Sequence, residues 1–230
     1  MSQSSTFRPA MQARSGRGTL ITLALATALG LVFVFDAAVP YLTVTEAQFR
    51  VYWPRRHWLL LHVLAGVVAL LSGPVQLWLG LARRRLGLHR ALGALYIGSV
   101  ATSAVAAYYL AFHTDFGWGF GAGLAGLATA WLVTTGLALV AIRRRLYLQH
   151  EEWMVRSYVV TTAFISFRVL FTALGAAGVG TLTERLTVCS WSCWALPLLV
   201  CEAVLQGRKL RSGPLQDPEP PRSAQLSPTR

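Results

Sequence analysis

The sequence predicts an all-α integral membrane protein, a six-transmembrane helix bundle, and three observations carry that prediction. The 230 residues are 54% apolar and only 13% charged, too apolar for an ordinary soluble domain. The apolar residues fall into six runs, each long enough to cross about 30 Å of hydrocarbon as a helix. The basic residues behind the net charge of +12 sit in short clusters between those runs, as orientation by the positive-inside rule requires. That placement argues against a nucleic-acid partner and for a lipid bilayer, whose anionic headgroups attract such clusters.

Residues 1–18 are polar and basic (Arg8, Arg14, Arg17) and are expected to be disordered. The first run covers residues 20–39, broken only by Asp36 near its end. It is too long for the apolar region of a signal peptide and no small-x-small cleavage site follows, so it reads as an uncleaved span. Pro40 to His57 is a polar connector, with Tyr41, Tyr52, Trp53 and Trp58 forming the aromatic belt of a membrane interface. The second span, residues 58–81, carries His62 one turn in, then Gly66, Gly73, Pro74 and Gln76. Pro74 should free a carbonyl near Leu70, which Gln76 is placed to satisfy.

The third span covers residues 89–112, with Gly93 and Tyr96 on the face of His89, and the fourth residues 120–142, with Trp131 mid-run. The fifth, residues 153–177, has Arg156 at its entrance and Arg168 deep inside. The sixth, residues 186–205, holds Cys189, Cys193 and Cys201, read as small apolar residues because three thiols in lipid make neither a disulfide framework nor a metal knot. Residues 207–230 are Pro- and Ser-rich and expected to be a disordered tail, leaving a transmembrane domain over residues 19–206. Six spans put both termini on one side. One face receives Arg8, Arg14, Arg17, Arg83–Arg85, Arg90, Arg143–Arg145, Arg208, Lys209 and Arg211; the other receives only Arg50, Arg55, Arg56 and Arg185. The heavier face, with both termini, is therefore expected to be cytoplasmic.

The line from Ala82 to Tyr96, ARRRLGLHRALGALY, recurs from Ile142 to Tyr158 as IRRRLYLQHEEWMVRSY, with Gln149 as an extra residue before the histidine. Spans two–three and four–five then form two repeated hairpins of like orientation, as in parallel repeats related by an axis along the membrane normal. By depth, His62 and His113 belong to the outer face, His89 and His150 to the inner one. One imidazole pair per face is what a bundle needs to ligate two b-type haems and pass electrons across the bilayer. Arg90, Arg156 and Arg168 are the candidate contacts for haem propionates or another anion, and Gln76 is a candidate polar group of the site. Interfacial histidines equally serve as hydrogen-bonding residues, so that reading stays open. A zinc or copper site from His57, His62, His113 and Asp115 at the outer face is a further alternative. Arg168 inside a span demands a partner or a polar cavity. Asp36 lies at matching depth, which leaves a structural pair beside an anion contact to a propionate, a quinone carbonyl or a transported acid.

The line His62-xxx-Gly66, Gly73-Pro74-x-Gln76, Leu88-His89-Arg90-xx-Gly93-xx-Tyr96, His150-xx-Trp153-Met154-x-Arg156-Ser157-Tyr158 and Arg168 resembles domain-of-unknown-function family 2306, bacterial predicted membrane proteins, over about residues 58–170. The resemblance implies a multi-span protein of the bacterial cytoplasmic (inner) membrane and no established reaction. It singles out His62, Gln76, His89, Arg90, His150, Trp153, Arg156 and Arg168 without giving them roles. A looser similarity, on the paired histidines alone, is to cytochrome b561-like haem bundles. The functional expectation is a haem-b electron-transfer module working with a quinone or another redox partner. The alternative is a non-redox transporter or accessory subunit with a polar or metal site near the outer face. With only nine acidic residues, and Glu151 and Glu152 at the cytoplasmic surface, no hydrolase constellation is present.

Overall fold

Hydrocarbon offers no water to the backbone, so an apolar run of this length must bond its own N–H and C=O groups as a helix. The computed structural model describes residues 17–82 and 85–211, and among them no strand occurs. Helix α1 (Arg17–Phe33) continues through a π turn (Val34–Ala38) and a 3-10 turn (Val39–Thr43). A short α2 (Glu46–Phe49) leads to α3 (Arg56–Leu81), α4 (Leu86–Phe112), α5 (Trp118–Arg143), α6 (Tyr147–Thr161), α7 (Ala163–Ala176) and α8 (Leu182–Arg211). Six stretches among the described residues are long and apolar enough to span a membrane: Ile21–Thr43, Glu46–Leu81, Leu86–Phe112, Trp118–Arg143, Tyr147–Ala176 and Leu182–Arg211. The fifth contains both α6 and α7, joined at Thr162, whose N–H bonds back to the Tyr158 carbonyl and whose carbonyl accepts from Ser166 N.

The helices reach beyond the expected ends: α1 starts at Arg17 and α8 runs to Arg211. Residues 1–16 and 212–230 lie outside the described residues, with most of both expected disordered segments, as do Arg83 and Arg84. The expected connector from Pro40 is ordered, because Phe49, only 1% exposed, packs edge-on against Tyr41 at 5.2 Å and Trp53 at 6.2 Å.

The α3–α4 and α5–α6 hairpins are built alike. In each, the last arginine of the triplet takes the left-handed conformation, φ 47° at Arg85 and φ 59° at Arg145, the conformation that commonly ends a helix. The N–H of Ala82 closes on the Trp78 carbonyl at 2.9 Å, that of Arg144 on the Val140 carbonyl at 3.0 Å. The next helix then opens with its histidine N–H on a carbonyl of the turn, His89 to Arg85 at 3.0 Å and His150 to Leu146 at 2.9 Å.

The core lies where the two hairpins meet, around Tyr96, Val100, Leu127, Trp131, Ala138 and Tyr158. Close approach depends on small residues. A Cβ on Gly123 would overlap Ser190, so α5 and α8 meet nearly backbone to backbone. Cys189 and Cys193 are free and buried there, small packing residues as expected.

Gly73 and Pro74 form one device with Tyr158. A Cβ at Gly73 would overlap the Tyr158 ring, so the glycine lets that ring lie on α3. Pro74 has no N–H for the Leu70 carbonyl. The Tyr158 hydroxyl supplies it, donating to Leu70 O at 3.3 Å. The donor is Tyr158 rather than the expected Gln76, whose amide nitrogen lies towards Gly93.

A second polar network crosses the core. The Thr161 hydroxyl donates to the Ser157 carbonyl at 2.9 Å and accepts from Trp131 Nε1 at 2.9 Å. Its hydrogen being used, Thr161 must also accept from the Tyr96 hydroxyl at 2.7 Å. Ser157 then donates to Tyr96 at 2.8 Å and Thr135 to Ser157 at 2.7 Å. Every hydroxyl of this network is paired, and α4, α5 and α6 are tied together.

Interhelical hydrogen bonds in membranes contribute about 0.6 kcal/mol on average and up to about 1.7. Thermal unfolding in detergent should therefore show Tyr158→Phe lowering stability within that range. Tyr96→Phe should lower it further, because Ser157 loses its acceptor and Thr161 one donor.

Candidate functional site

At the arginine-turn end, His89 and His150 face each other across the two hairpins. His89 Nδ1 lies 3.2 Å from the Gln76 carbonyl, and His150 Nδ1 lies 2.9 Å from the Ala138 carbonyl. A carbonyl only accepts, so each Nδ1 carries the ring proton and each Nε2 keeps its lone pair. The ring centres are 6.5 Å apart and the planes stand at 87°. Gly80 makes room beside them, since a Cβ there would come within 3.0 Å of His89 Cε1. Gln76 is 4% exposed, and its Oε1 has no hydrogen-bond partner among the described residues. Buried polar groups are nearly always paired, so this oxygen marks Gln76 as a position that calls for an explanation. Arg85, Arg90 and Arg143–Arg145 are exposed at this end and make it electropositive.

Arg156 is used differently from the expected anion contact. It is 7% exposed, its Nε donates to Glu202 at 2.8 Å and its Nη2 lies 2.6 Å from the same carboxylate. Glu152 lies 3.6 Å from its Nη1, and the Trp153 face lies 4.6 Å from the guanidinium carbon. These contacts make Arg156 a clamp between α6 and α8, with its charge already compensated.

At the opposite end, the expected pairing of His62 with His113 does not form. His62 Nδ1 is fixed by Ser103, 3.0 Å from its carbonyl and 2.9 Å from its hydroxyl, while that hydroxyl donates to the His62 carbonyl at 3.0 Å. Ser103 sits ten residues before His113 on α4, which separates the two levels by about 15 Å. His113 is exposed, stacked on Tyr109 at 4.2 Å, with its Nδ1 on the Tyr109 carbonyl at 2.8 Å. The alternative zinc or copper set fails for a related reason. His57 is exposed and Asp115 is held by Arg55 at 2.7 and 3.2 Å. That hydrogen bond holds the Asp115 carboxyl below the usual carboxylate range. Among the described residues no three of His, Cys, Asp and Glu converge as metal ligands.

Arg168 finds the expected partner: its Nη1 lies 3.7 Å from Asp36, and the guanidinium sits 5.9 Å over the Phe33 ring. It also lines a cavity of about 490 Å³, together with His62, Gly66, Trp131, Thr161 and Phe164. The His62 ring meets Phe164, another residue of its lining, at 5.6 Å. Sequence reasoning missed the aromatic wall. Its signal was the spacing of Phe164, Phe167 and Phe171, which puts three rings on one face of α7 at centre distances of 6.0 and 5.9 Å.

The family model described as predicted membrane protein (DUF2306) matches residues 59–205. No curated protein and no solved structure matches, so the looser likeness to cytochrome b561-like bundles gains no support. The matched stretch holds both arginine turns, the His89–His150 pair and His62. The chain belongs to domain-of-unknown-function family 2306, a family of predicted membrane proteins.

Proposed function

We propose that this protein is a transmembrane electron-transfer module that holds one b-type haem between His89 and His150. The observation that carries the reading is the geometry of that pair. His89 and His150 would hold the iron through their Nε2 atoms, and imidazole–metal bonds of about 2.0–2.1 Å would need ring centres about 6.3 Å apart. The separation here is 6.5 Å. Both rings have Nδ1–H anchored on a backbone carbonyl, the orientation that ligating histidines use to present Nε2.

A bound haem supplies one-electron chemistry at this end of the bundle. The chain's own residues do the rest. The Gln76 and Ala138 carbonyls fix the tautomers and aim the rings, and Gly80 leaves room at the ring edge. Arg85, Arg90 and Arg145 compensate the propionates, a role that Arg156 cannot take while it serves Glu202. The two-haem expectation reduces to one because the outer histidines lie at different levels. By the positive-inside rule, the arginine turns and both termini face the cytoplasm of a bacterial inner membrane.

The second reading, a non-redox transporter or accessory subunit, is favoured by the cavity of about 490 Å³ at the other end. Haem content separates the two. Protein purified from haem-sufficient cells should carry about one haem per chain and show a b-type α band in the reduced-minus-oxidised spectrum. His89→Ala and His150→Ala should each abolish the band, and His113→Ala should leave it intact. Haem-free protein, or a band that survives both inner substitutions, contradicts the electron-transfer reading.

A further inference from the structure

We infer that the cavity at the end opposite the arginine turns binds a hydroquinone-class head group that enters from the bilayer. The cavity, of about 490 Å³, lies within the usual range for small-molecule sites. Its walls are aromatic and aliphatic, with Trp131, Phe164 and Phe167 offering faces on which a flat ring can stack.

The deep polar atoms decide what that ring must carry. Thr161 is saturated, with its hydrogen on the Ser157 carbonyl and its oxygen accepting from Trp131 and Tyr96. The Trp131 N–H is spent on the same hydroxyl. That leaves His62. His62 lines the cavity with its Nδ1–H committed to Ser103, so Nε2 is the ring nitrogen left to accept from an occupant. An occupant satisfies it only by bringing a hydrogen-bond donor.

An acyl chain brings none. An anionic head group would place negative charge against the lone pair, and the nearby cation, Arg168, already pairs with Asp36. A phenolic hydroxyl on an apolar ring fits both the acceptor and the walls. Tyr41 and Tyr52, which line the same cavity, have hydroxyls that can meet a second ring oxygen. Oxygens at both ends of a flat, lipid-soluble ring describe a hydroquinone. Its role as redox partner rests on the electron-transfer reading above; the binding itself does not.

The test is isothermal titration calorimetry of the full chain in phosphatidylcholine nanodiscs, with a decyl-benzohydroquinone kept anaerobic as the probe. Saturable binding is expected, weakened about tenfold or more by His62→Phe, the effect of leaving the probe's hydroxyl donor without its acceptor. Leu124→Trp, which puts a bulkier side chain on the cavity wall, should abolish it. The dimethyl ether of the same probe has no donor and should bind the wild-type chain about tenfold more weakly. Equal binding of probe and ether, absence of saturable binding, or binding unchanged by Leu124→Trp overturns the inference. His89→Ala should leave probe binding intact. Probe binding without a haem band therefore refutes only the electron-transfer reading, and a haem band without probe binding refutes only this one.

Discussion

Inside a bilayer a hydroxyl has no water to fall back on, and the chain of Thr135, Ser157, Tyr96 and Thr161 is held together by that constraint. Thr161 has its hydrogen on a backbone carbonyl, so the other three must each donate in one direction. The network ties α6 to both α4 and α5. It also fixes Trp131, whose indole stands between the hydroxyl chain and the cavity wall. With α6 held at mid-depth, His150 is carried to its place opposite His89, and Tyr158 reaches the carbonyl that Pro74 leaves bare.

The same accounting of donors and acceptors explains the histidines. Each of the four placed within or at the end of a span has its Nδ1 on a backbone carbonyl. In three of them the ring is partly buried and Nε2 is the group left to act. The rings of His89 and His150 lie 6.5 Å apart across the two hairpins, and His62 lines an apolar cavity. The two ends of the bundle thus present the same chemical handle to different surroundings: paired imidazoles beside exposed arginines at one end, a single imidazole among aromatic rings at the other.

Much of this was legible in the sequence. The six spans follow from apolar run length, and the hairpin repeat from the two arginine triplets. The Asp36–Arg168 pair follows from matched depth and opposite charge. What could not be read was direction around each helix. His62 and His113 share an outer location, yet the Ser103 contact puts their levels about 15 Å apart. Arg156 resembled an anion site until Glu202, 46 residues later, proved to occupy it. The cavity is lined by residues of α1, α3, α4, α5, α6 and α7, and hydrophobic periodicity is silent on how those helices are spaced. Gln76 keeps a buried oxygen with no partner among the described residues, and no pattern of residues points to one.

The central claim is that His89 and His150 share one iron with their planes nearly perpendicular. Electron paramagnetic resonance of the oxidised protein tests it most directly, because the signal reports both the number of imidazole ligands and their mutual angle. The account predicts a low-spin ferric signal with the strong anisotropy of near-perpendicular imidazoles, lost in His89→Ala and in His150→Ala. A high-spin signal in the unmodified chain, or a low-spin signal indifferent to both substitutions, would contradict it.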